Sequence, residues 1–379
     1  MCGIFGIVHD RKYQLSSEAF KLINRENFNR GPDNQGFIEV NASNKKLKLG
    51  HSRLSILDLS SEANQPMISS NNRFIISFNG EIYNHLELRK SINQIKEISW
   101  KTSSDTETLL NLFEIFPFLD ALKKIEGMFS FVLYDKKNNK LFISRDLAGE
   151  KPLYFCFNKL FISFASDLKT ITKLPNIDKN IDEISVQKFL EYNYIPSPRS
   201  IYKNIYKLPA ASYIIVDLDK FIFDDLKNYD QLKSINGIEN GKWWNLNFNY
   251  KNKKNLSIKT YEEKITYYLK DSVKKQLISD VPLGAFLSGG IDSSLIVSMM
   301  QDINQNTKTF TIGFEDKNYD ESIFANKIAN YLSTDPKDSV FIEPQRKFNN
   351  YVKAIHSMQP FGNSNWGNTT KFKIEKQDI

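Results

Sequence analysis

The chain has 379 residues, of which 41% are hydrophobic and 13% aromatic, and it carries a formal net charge of +7. This length predicts two or three domains, and the composition excludes a disordered, collagen-like or disulfide-stapled chain. Two cysteines and no apolar run near the roughly 18 residues of a membrane span indicate a reducing, cytoplasmic location without membrane insertion. The lysines are scattered along the chain, which argues against nucleic-acid binding.

The first two hundred residues predict strands that pair with their neighbours. A strand at 2–8 precedes a helix opened by Ser16 and running to about Asn27, and a later helix covers 105–115. Residues 74–78 read as a short strand that ends at the turn dipeptide Asn79-Gly80. Two hairpins follow, 129–134 with 141–144 and 153–157 with 160–165. This pattern predicts an α+β domain of stacked antiparallel sheets flanked by helices.

The remaining sequence predicts a linker and a second domain. Residues 218–257 are polar and rich in Asn and Lys around Trp243 and Trp244, so they are assigned to the linker. Thr260 and Glu263 form a capping box, and an apolar face follows at Ile265, Leu269, Val273 and Leu277. Strands at 283–287 and 309–314 alternate with helices at 291–300 and 322–332, which indicates a parallel α/β sheet. The predicted domains are therefore 1–217 and 258–379.

Cys2 is a candidate nucleophile because of its position. Removal of Met1 would leave its thiol beside a free α-amine, and the ordinary pKa values of both groups are near 8. An amine that serves as base for its own side chain is a self-contained nucleophile–base pair. Taken alone, a free cysteine is more often a small buried hydrophobe.

Seven short segments decide between these readings. They are 2–6 (Cys-Gly-Ile-Phe-Gly), 30–33 (Arg-Gly-Pro-Asp), 51–56 (His-Ser-Arg-Leu-Ser-Ile), 78–84 (Phe-Asn-Gly-Glu-Ile-Tyr-Asn), 104–107 (Ser-Asp-Thr-Glu), 145–154 and 164–166 (Phe-Ala-Ser). In this order and spacing the first 210 or so residues resemble the N-terminal-nucleophile (Ntn-hydrolase) glutaminase domain of asparagine synthetases.

The resemblance implies a role for each polar group. Cys2 attacks the side-chain amide of glutamine, while Asn79 and the Gly80 N–H stabilise the oxyanion. The glutamine-binding residues that it implies are Arg53, Leu54, Ser55, Ile56, Leu57, Glu81 and Asp105, with Arg53 on the α-carboxylate and Asp105 on the α-ammonium. Without the resemblance, Asp105 would be read as a helix cap, Arg53 as a surface ion pair and Asn79-Gly80 as a turn. His51 is assigned a structural role, because the α-amine already supplies the base.

A second centre is predicted at 287–294 (Leu-Ser-Gly-Gly-Ile-Asp-Ser-Ser). A Gly-Gly turn between a strand and a helix exposes N–H groups and the positive helix end, which together cradle phosphate. The segment lacks the Walker A spacing and resembles the pyrophosphate loop of ATP pyrophosphatases. The resemblance implies ATP contacts at Leu287, Ser288, Gly289, Gly290, Asp292, Ser293, Ser294 and Ile312, with Asp292 as a Mg²⁺ ligand. Asp316 and residues 320–322 resemble the segment that follows the next strand.

The implied reaction is ATP-dependent activation of aspartate followed by attack of ammonia. The family continues with an acidic segment that the 379 residues lack, and residues 358–365 (Met-Gln-Pro-Phe-Gly-Asn-Ser-Asn) lose two acidic positions. We therefore expect an incomplete synthetase domain that binds ATP without forming asparagine, read either as a fragment or as a truncated product. An amidotransferase for another carboxylate, a glutaminase alone and an inactive remnant stay open, as does a homodimer.

Overall fold

Two antiparallel sheets form the first part of the chain. The computed structural model describes residues 1–225, 228–247, 257–313 and 320–334. The first sheet has the order β10-β8-β9-β1-β3-β2. In that order its strands are Tyr206–Lys207, Tyr154–Phe157, Phe161–Ala165, Gly3–Asp10, Lys45–Arg53 and Asn34–Ala42. The second has the order β12-β11-β7-β6-β5-β4. Its strands are Ile238–Lys242, Ser212–Asp217, Lys140–Arg145, Gly127–Asp135, Phe74–Ile82 and Met67–Ile68.

The sheets pack face to face between layers of helices. Ile4 and Leu49 of the first sheet share a buried core with Val132 and Ile143 of the second. Helices α2 (His85–Ile95), α3 (Asp105–Ile115) and α4 (Phe118–Leu122) cover the outer face of the second sheet. Helices α1 (Ser17–Asn24) and α5 (Leu168–Thr172) cover the first, and α6 spans Glu183–Tyr192. This layering confirms the predicted α+β fold of stacked antiparallel sheets.

Local signals account for most of this unit. The two predicted hairpins are β6–β7 and β8–β9, and the predicted helix at 105–115 is α3. Ser104 caps α3 by accepting a hydrogen bond from the Thr106 N–H. The turn predicted at Asn79-Gly80 is wrong, because β5 continues through both residues and pairs Asn79 with Ser130 and Gly80 with Phe129. A Cβ on Gly80 would lie 2.2 Å from the Met128 carbonyl oxygen, so this glycine permits close strand pairing rather than a turn.

Most of the segment predicted as linker belongs to the first unit, which extends to Leu246. Strand β12 pairs with β11 along the edge of the second sheet. Trp243 is buried, and its indole N–H donates to the Arg145 carbonyl oxygen at 3.0 Å. Single large side chains such as Trp243 hold this segment against the sheet. The polar residues between them give the segment the composition of a linker, so its composition does not reveal this packing. Residues 218–246 are therefore part of the first unit.

The second unit alternates helices and parallel strands. Its elements are α7 (Ile258–Gln276), β13 (Gly284–Phe286), α8 (Ile291–Ile303), β14 (Lys308–Phe310) and α9 (Ser322–Tyr331). The parallel pairing of β13 and β14 agrees with the prediction. Helix α7 is capped by Ser257, which accepts a hydrogen bond from the Thr260 N–H, so the expected cap at Thr260 is wrong. Val273 is buried but Ile265 is 57% exposed, so only part of the predicted apolar face is covered.

Three features from the sequence lie outside the described residues: Asp316, residues 358–365 and the tail from 371 onward. In the part of the chain that the structure does describe, no helix is long and apolar enough to cross a lipid bilayer.

Candidate active sites

The Cys2 thiol lies where β1 begins, against the end of β3. The Leu54 N–H donates to its sulfur at 3.4 Å, and the Leu54 carbonyl oxygen lies 3.7 Å from the same atom. The Arg30 Nε–H donates to the Cys2 carbonyl oxygen at 3.0 Å, which fixes the main chain. Burial raises the pKa of the thiol, but His51, the N-terminal amino group and the Leu54 N–H together lower it to about 6. These contacts favour the thiolate form of Cys2.

Cys156, by contrast, is an inert buried thiol. It is 1% exposed within β8, and burial raises its pKa to about 12. The two cysteines thus have opposite chemistry, because Cys2 has polar partners and Cys156 lies in an apolar core.

The N-terminal amine lies in the same buried region. Burial is the main cause that lowers the pKa of the Met1 amine to about 5, and the charges of Arg30 and Lys151 add to this effect. The Lys151 Nζ lies 3.3 Å from the Met1 sulfur. Burial in this region therefore favours the unprotonated form of the Met1 amine.

His51 links the Cys2 region to β5 of the other sheet. Its Nε2 lies 2.9 Å from the Phe78 carbonyl oxygen, and the side chain is completely buried. The imidazole is also the strongest of the groups that lower the pKa of the Cys2 thiol. The structural role predicted for His51 from the sequence misses this contact. The sequence does hold a signal for the position of His51, because it lies two positions before Arg53 in the predicted site. Side chains two positions apart on a strand point to the same face.

Asn79 and Gly80 lie on β5, next to the carbonyl group that His51 contacts. The Asn79 side chain is 1% exposed, and its amide nitrogen finds no hydrogen-bond acceptor among the described residues. Buried amide donors are nearly always paired in native proteins, so an unpaired one calls for an explanation. A negatively charged oxygen of a ligand would supply the missing acceptor.

Arg53 is largely occupied by the loop that follows it. Its Nη1 donates to the Ser60 carbonyl oxygen at 2.7 Å and to Asn64 Oδ1 at 2.9 Å, while Nη2 faces the carbonyl oxygens of Leu57 and Asp58. These four contacts with described residues occupy both Nη atoms, while the Nε–H takes part in none of them. Burial lowers the pKa of Arg53, whereas four surrounding groups raise it, namely Cys2, Asp58, Asp33 and Asp105.

The other predicted glutamine contacts converge on this arginine. The Asp105 carboxylate at the start of α3 accepts the Ile82 N–H at 2.9 Å, which ties α3 to the end of β5. The Ser55 N–H donates to Asp33 at 2.8 Å, so the Arg-Gly-Pro-Asp segment shapes the loop after β3. Glu81 is 6% exposed, whereas Ile56 and Leu57 are half-buried. The structure thus gathers Cys2, Arg53 and Asp105 at one end of the two sheets.

The second predicted centre is the loop between β13 and α8. Gly289 adopts φ +81°, and a Cβ there would lie 2.7 Å from Cβ of Phe324, so glycine is required. Gly290 is the N-cap of α8 and has no side chain to cap the N–H groups of the first helical turn. Asp292 in that turn is exposed.

The loop serines mostly bond to the loop itself. Ser293 is buried, its hydroxyl lies 3.0 Å from that of Ser288, and it donates to the Gly290 carbonyl oxygen at 3.1 Å. Ser294 donates to the same oxygen at 2.7 Å. Leu287 is buried and Ile312 is half-buried on the neighbouring strand connection. Ser293 therefore shapes the loop, while Ser288, Gly290 and Asp292 form its exposed surface.

Comparison with known proteins matches each half of the chain to a protein family. Residues 1–229 match the glutamine amidotransferase domain family, and residues 264–366 match the asparagine synthase family. A Methanocaldococcus jannaschii protein provisionally named glutamine-hydrolysing asparagine synthetase 2 is 36% identical over 96% of this chain and 69% of its own. Glutamine-hydrolysing asparagine synthetase 1 of Bacillus subtilis is 31% identical over 94% of this chain and 52% of its own.

The chain therefore spans about half the length of the Bacillus relative and about two thirds of the archaeal one. Among solved structures, the glutamine phosphoribosylpyrophosphate amidotransferase of B. subtilis matches with a TM-score of 0.44 and 14% identity, over 92% of this chain and 70% of that one. On the sequence matches, the chain belongs to the glutamine-hydrolysing asparagine synthetase family.

Proposed function

We propose that the N-terminal unit hydrolyses glutamine to glutamate and ammonia. The Cys2 sulfur attacks the side-chain carbonyl carbon of glutamine. The α-amine of a chain that begins at Cys2 accepts the thiol proton and then donates it to the leaving nitrogen. Ammonia departs, and a glutamyl thioester remains on the sulfur. Water then cleaves the thioester and restores the thiol.

Charge complementarity supports glutamine as the substrate. The Asp105 carboxylate suits the α-ammonium, and the Nε–H of Arg53 suits the α-carboxylate. The backbone of residues 54–57 and Glu81 would complete the pocket. The Arg53 side chain would need to release one of its loop carbonyl groups to grip both carboxylate oxygens.

The observation that carries this proposal is the buried, unpaired side-chain amide of Asn79. The resting site leaves this donor without an acceptor among the described residues, and the tetrahedral intermediate would supply one as its oxyanion. A donor that is fixed before the reaction needs no rearrangement when charge develops, which is the basis of electrostatic catalysis.

Ammonia release without nucleotide tests the proposal directly. We expect the protein to produce glutamate and ammonia in equal amounts from glutamine in the absence of ATP. The glutamine analogue that lacks the α-amino group should react far more slowly, because Asp105 loses its partner. A folded protein that starts at Cys2 and releases no ammonia from glutamine would overturn the assignment.

For the second unit we propose binding of ATP and activation of the aspartate side-chain carboxylate as an acyl-adenylate, which ammonia converts to the amide. The N–H groups at the start of α8 suit the phosphates. Mg²⁺ prefers oxygen ligands and usually takes one or two carboxylates together with phosphate oxygens. The exposed Asp292 fits this donor set, and the bound ion would neutralise phosphate charge.

Asp292→Asn should weaken ATP binding in the presence of Mg²⁺ by roughly tenfold, the effect of losing one charged contact of about 1.4 kcal/mol. Calorimetric titration of the full chain with ATP, with and without Mg²⁺, measures this. Asp302→Asn is the matched control, because Asp302 lies near the other end of α8 and pairs with Lys270 at the surface. Equal weakening in both variants would show that Asp292 has no specific role.

A further inference from the structure

The loop after β3 turns back on itself at Asp58. This residue adopts a left-handed backbone conformation with φ +55°, which residues other than glycine keep only where their surroundings hold them. Aspartate tolerates this conformation better than most residues, because its short side chain can bond locally. The turn brings the carbonyl oxygens of Asp58 and Ser60 onto the two Nη atoms of Arg53, the latter at 2.7 Å. The conformation at Asp58 therefore helps to fix the Arg53 guanidinium.

The Asp58 side chain bonds to its own loop and to a distant segment. One carboxylate oxygen, Oδ1, accepts the Ser60 N–H at 2.9 Å and the Ser60 hydroxyl at 2.5 Å. The other, Oδ2, accepts the Ser103 N–H at 2.7 Å, across 45 positions of the chain. Burial raises the pKa of Asp58, but the bonds from Ser60 and Ser103 outweigh it and hold the pKa below its ordinary value. The side chain is thus an ionised acceptor at both oxygens.

Ser103 leads directly into the start of α3. Ser104 follows it as the cap of the helix, and Asp105 is the first helical residue. The Ser104 carbonyl oxygen accepts a hydrogen bond from Arg89 Nη2 at 2.7 Å, so the main chain has little freedom between Ser103 and the helix. A shift of Ser103 would therefore move Asp105. Through these contacts Asp58 holds both the arginine of β3 and the aspartate of α3.

We propose that Asp58 is a positioning residue for glutamine, which sets the separation between the Arg53 guanidinium and the Asp105 carboxylate. The α-carboxylate and α-ammonium groups of an amino acid stand on one carbon atom, so both are held only if their two partners keep a fixed distance. A bond network that exists before the substrate arrives keeps this distance without a further cost of ordering. The inference rests on the proposed function, since it takes Arg53 and Asp105 as the residues that bind glutamine.

The test compares glutamine with its analogue that lacks the α-amino group, in wild type and in Asp58→Gly. Glycine adopts φ +55° without strain, so this variant removes the carboxylate and keeps the turn. A second tie, from Gln65 Nε2 to Thr106 Oγ1 at 3.2 Å, still holds the end of the loop to α3. We expect KM for glutamine to rise by about tenfold or more with kcat nearly unchanged, because the charged end of the substrate is held less well while the reacting groups stay intact.

The ratio of kcat/KM for glutamine to kcat/KM for the analogue is the decisive readout. It should fall by about tenfold in Asp58→Gly, since the analogue has no α-ammonium group to be placed. A general loss of order in the site would lower both values alike and leave the ratio unchanged.

Asp58→Asn carries the test if the glycine variant does not fold. It keeps the shape of the side chain but only one acceptor oxygen, so it should shift KM and the ratio in the same direction by a smaller factor. A ratio equal to that of the wild type in the folded variants would overturn the proposal.

Asp178→Gly is the matched control. The Asp178 carboxylate also joins its own turn to another segment, because it accepts the Asn180 N–H at 2.9 Å and the Asn204 side-chain amide at 2.9 Å. Neither partner is a predicted glutamine contact, so KM and the ratio should match those of the wild type. An equal change in Asp178→Gly and Asp58→Gly would count against a specific role of Asp58.

The same measurements separate this inference from the proposed function. Wild-type protein that releases no ammonia from glutamine would refute the proposed function. Normal hydrolysis by the wild type, with an unchanged ratio in Asp58→Gly, would refute the positioning role of Asp58 alone.

Discussion

Replacement of Cys2 by alanine is expected to lower the rate of glutamine hydrolysis by more than about 10⁴-fold, as the loss of a covalent nucleophile does in other hydrolases. The thioester route disappears with the sulfur, and Arg53, Asp105 and Asn79 can then only bind the substrate. Glutamine affinity should change little, because the thiol contributes chemistry rather than recognition. Steady-state ammonia release and equilibrium binding of glutamine separate these two effects.

Cys156→Ala is the matched control for this variant. Its thiol lies in the apolar core on the outer face of the first sheet and has no role in the chemistry. Its loss should cost on the order of 1 kcal/mol of stability and leave hydrolysis intact. Hydrolysis that survives in Cys2→Ala but fails in a folded Cys156→Ala would show that the nucleophile is misassigned.

Asn79→Ala is expected to lower kcat for glutamine hydrolysis by about 10² to 10³-fold, the effect of removing one oxyanion donor. The change should leave KM nearly unaltered, since the interaction forms only as charge develops on the oxygen. Asn79→Ala should not lower the free energy of unfolding by the contribution of a hydrogen bond, because no described residue accepts a hydrogen bond from the Asn79 Nδ2.

Asn111→Ala provides the contrast. Asn111 is buried on α3, and its amide nitrogen donates to the Glu107 carbonyl oxygen at 3.0 Å. This variant should lose roughly 1 kcal/mol of stability and keep its kcat. If Asn79→Ala lost stability and kept kcat, the side-chain amide would be a structural group and not an oxyanion donor.

Local sequence signals are enough to predict the hairpins and α3, because strand alternation, turn residues and a serine cap act within a few residues. The segments around Cys2, Arg53, Asn79 and Asp105 point to one site only through their resemblance to the glutaminase domain of asparagine synthetases. They do not give distances, because the meeting of these residues depends on the register between β1 and β3 and on the bond from His51 to β5.

Sequence-based prediction fails where single contacts override the local pattern. The polar neighbours of Trp243 predict a linker, yet one buried indole and its hydrogen bond hold the segment in the fold. The dipeptide Asn79-Gly80 favours a turn, whereas the strand pairing with β6 continues through it. The resemblance implies that Arg53 is free to bind substrate, but four of its N–H groups hold its own loop.

Intact-protein mass spectrometry of the enzyme, quenched with acid during glutamine turnover, tests the central claim most directly. The proposed mechanism predicts a chain that begins at Cys2, since the α-amine must be free, and a glutamyl adduct located on the Cys2 sulfur. The adduct should be absent in Cys2→Ala and present in Cys156→Ala. Hydrolytically active protein that retains Met1, or an adduct on any other residue, would contradict this mechanism.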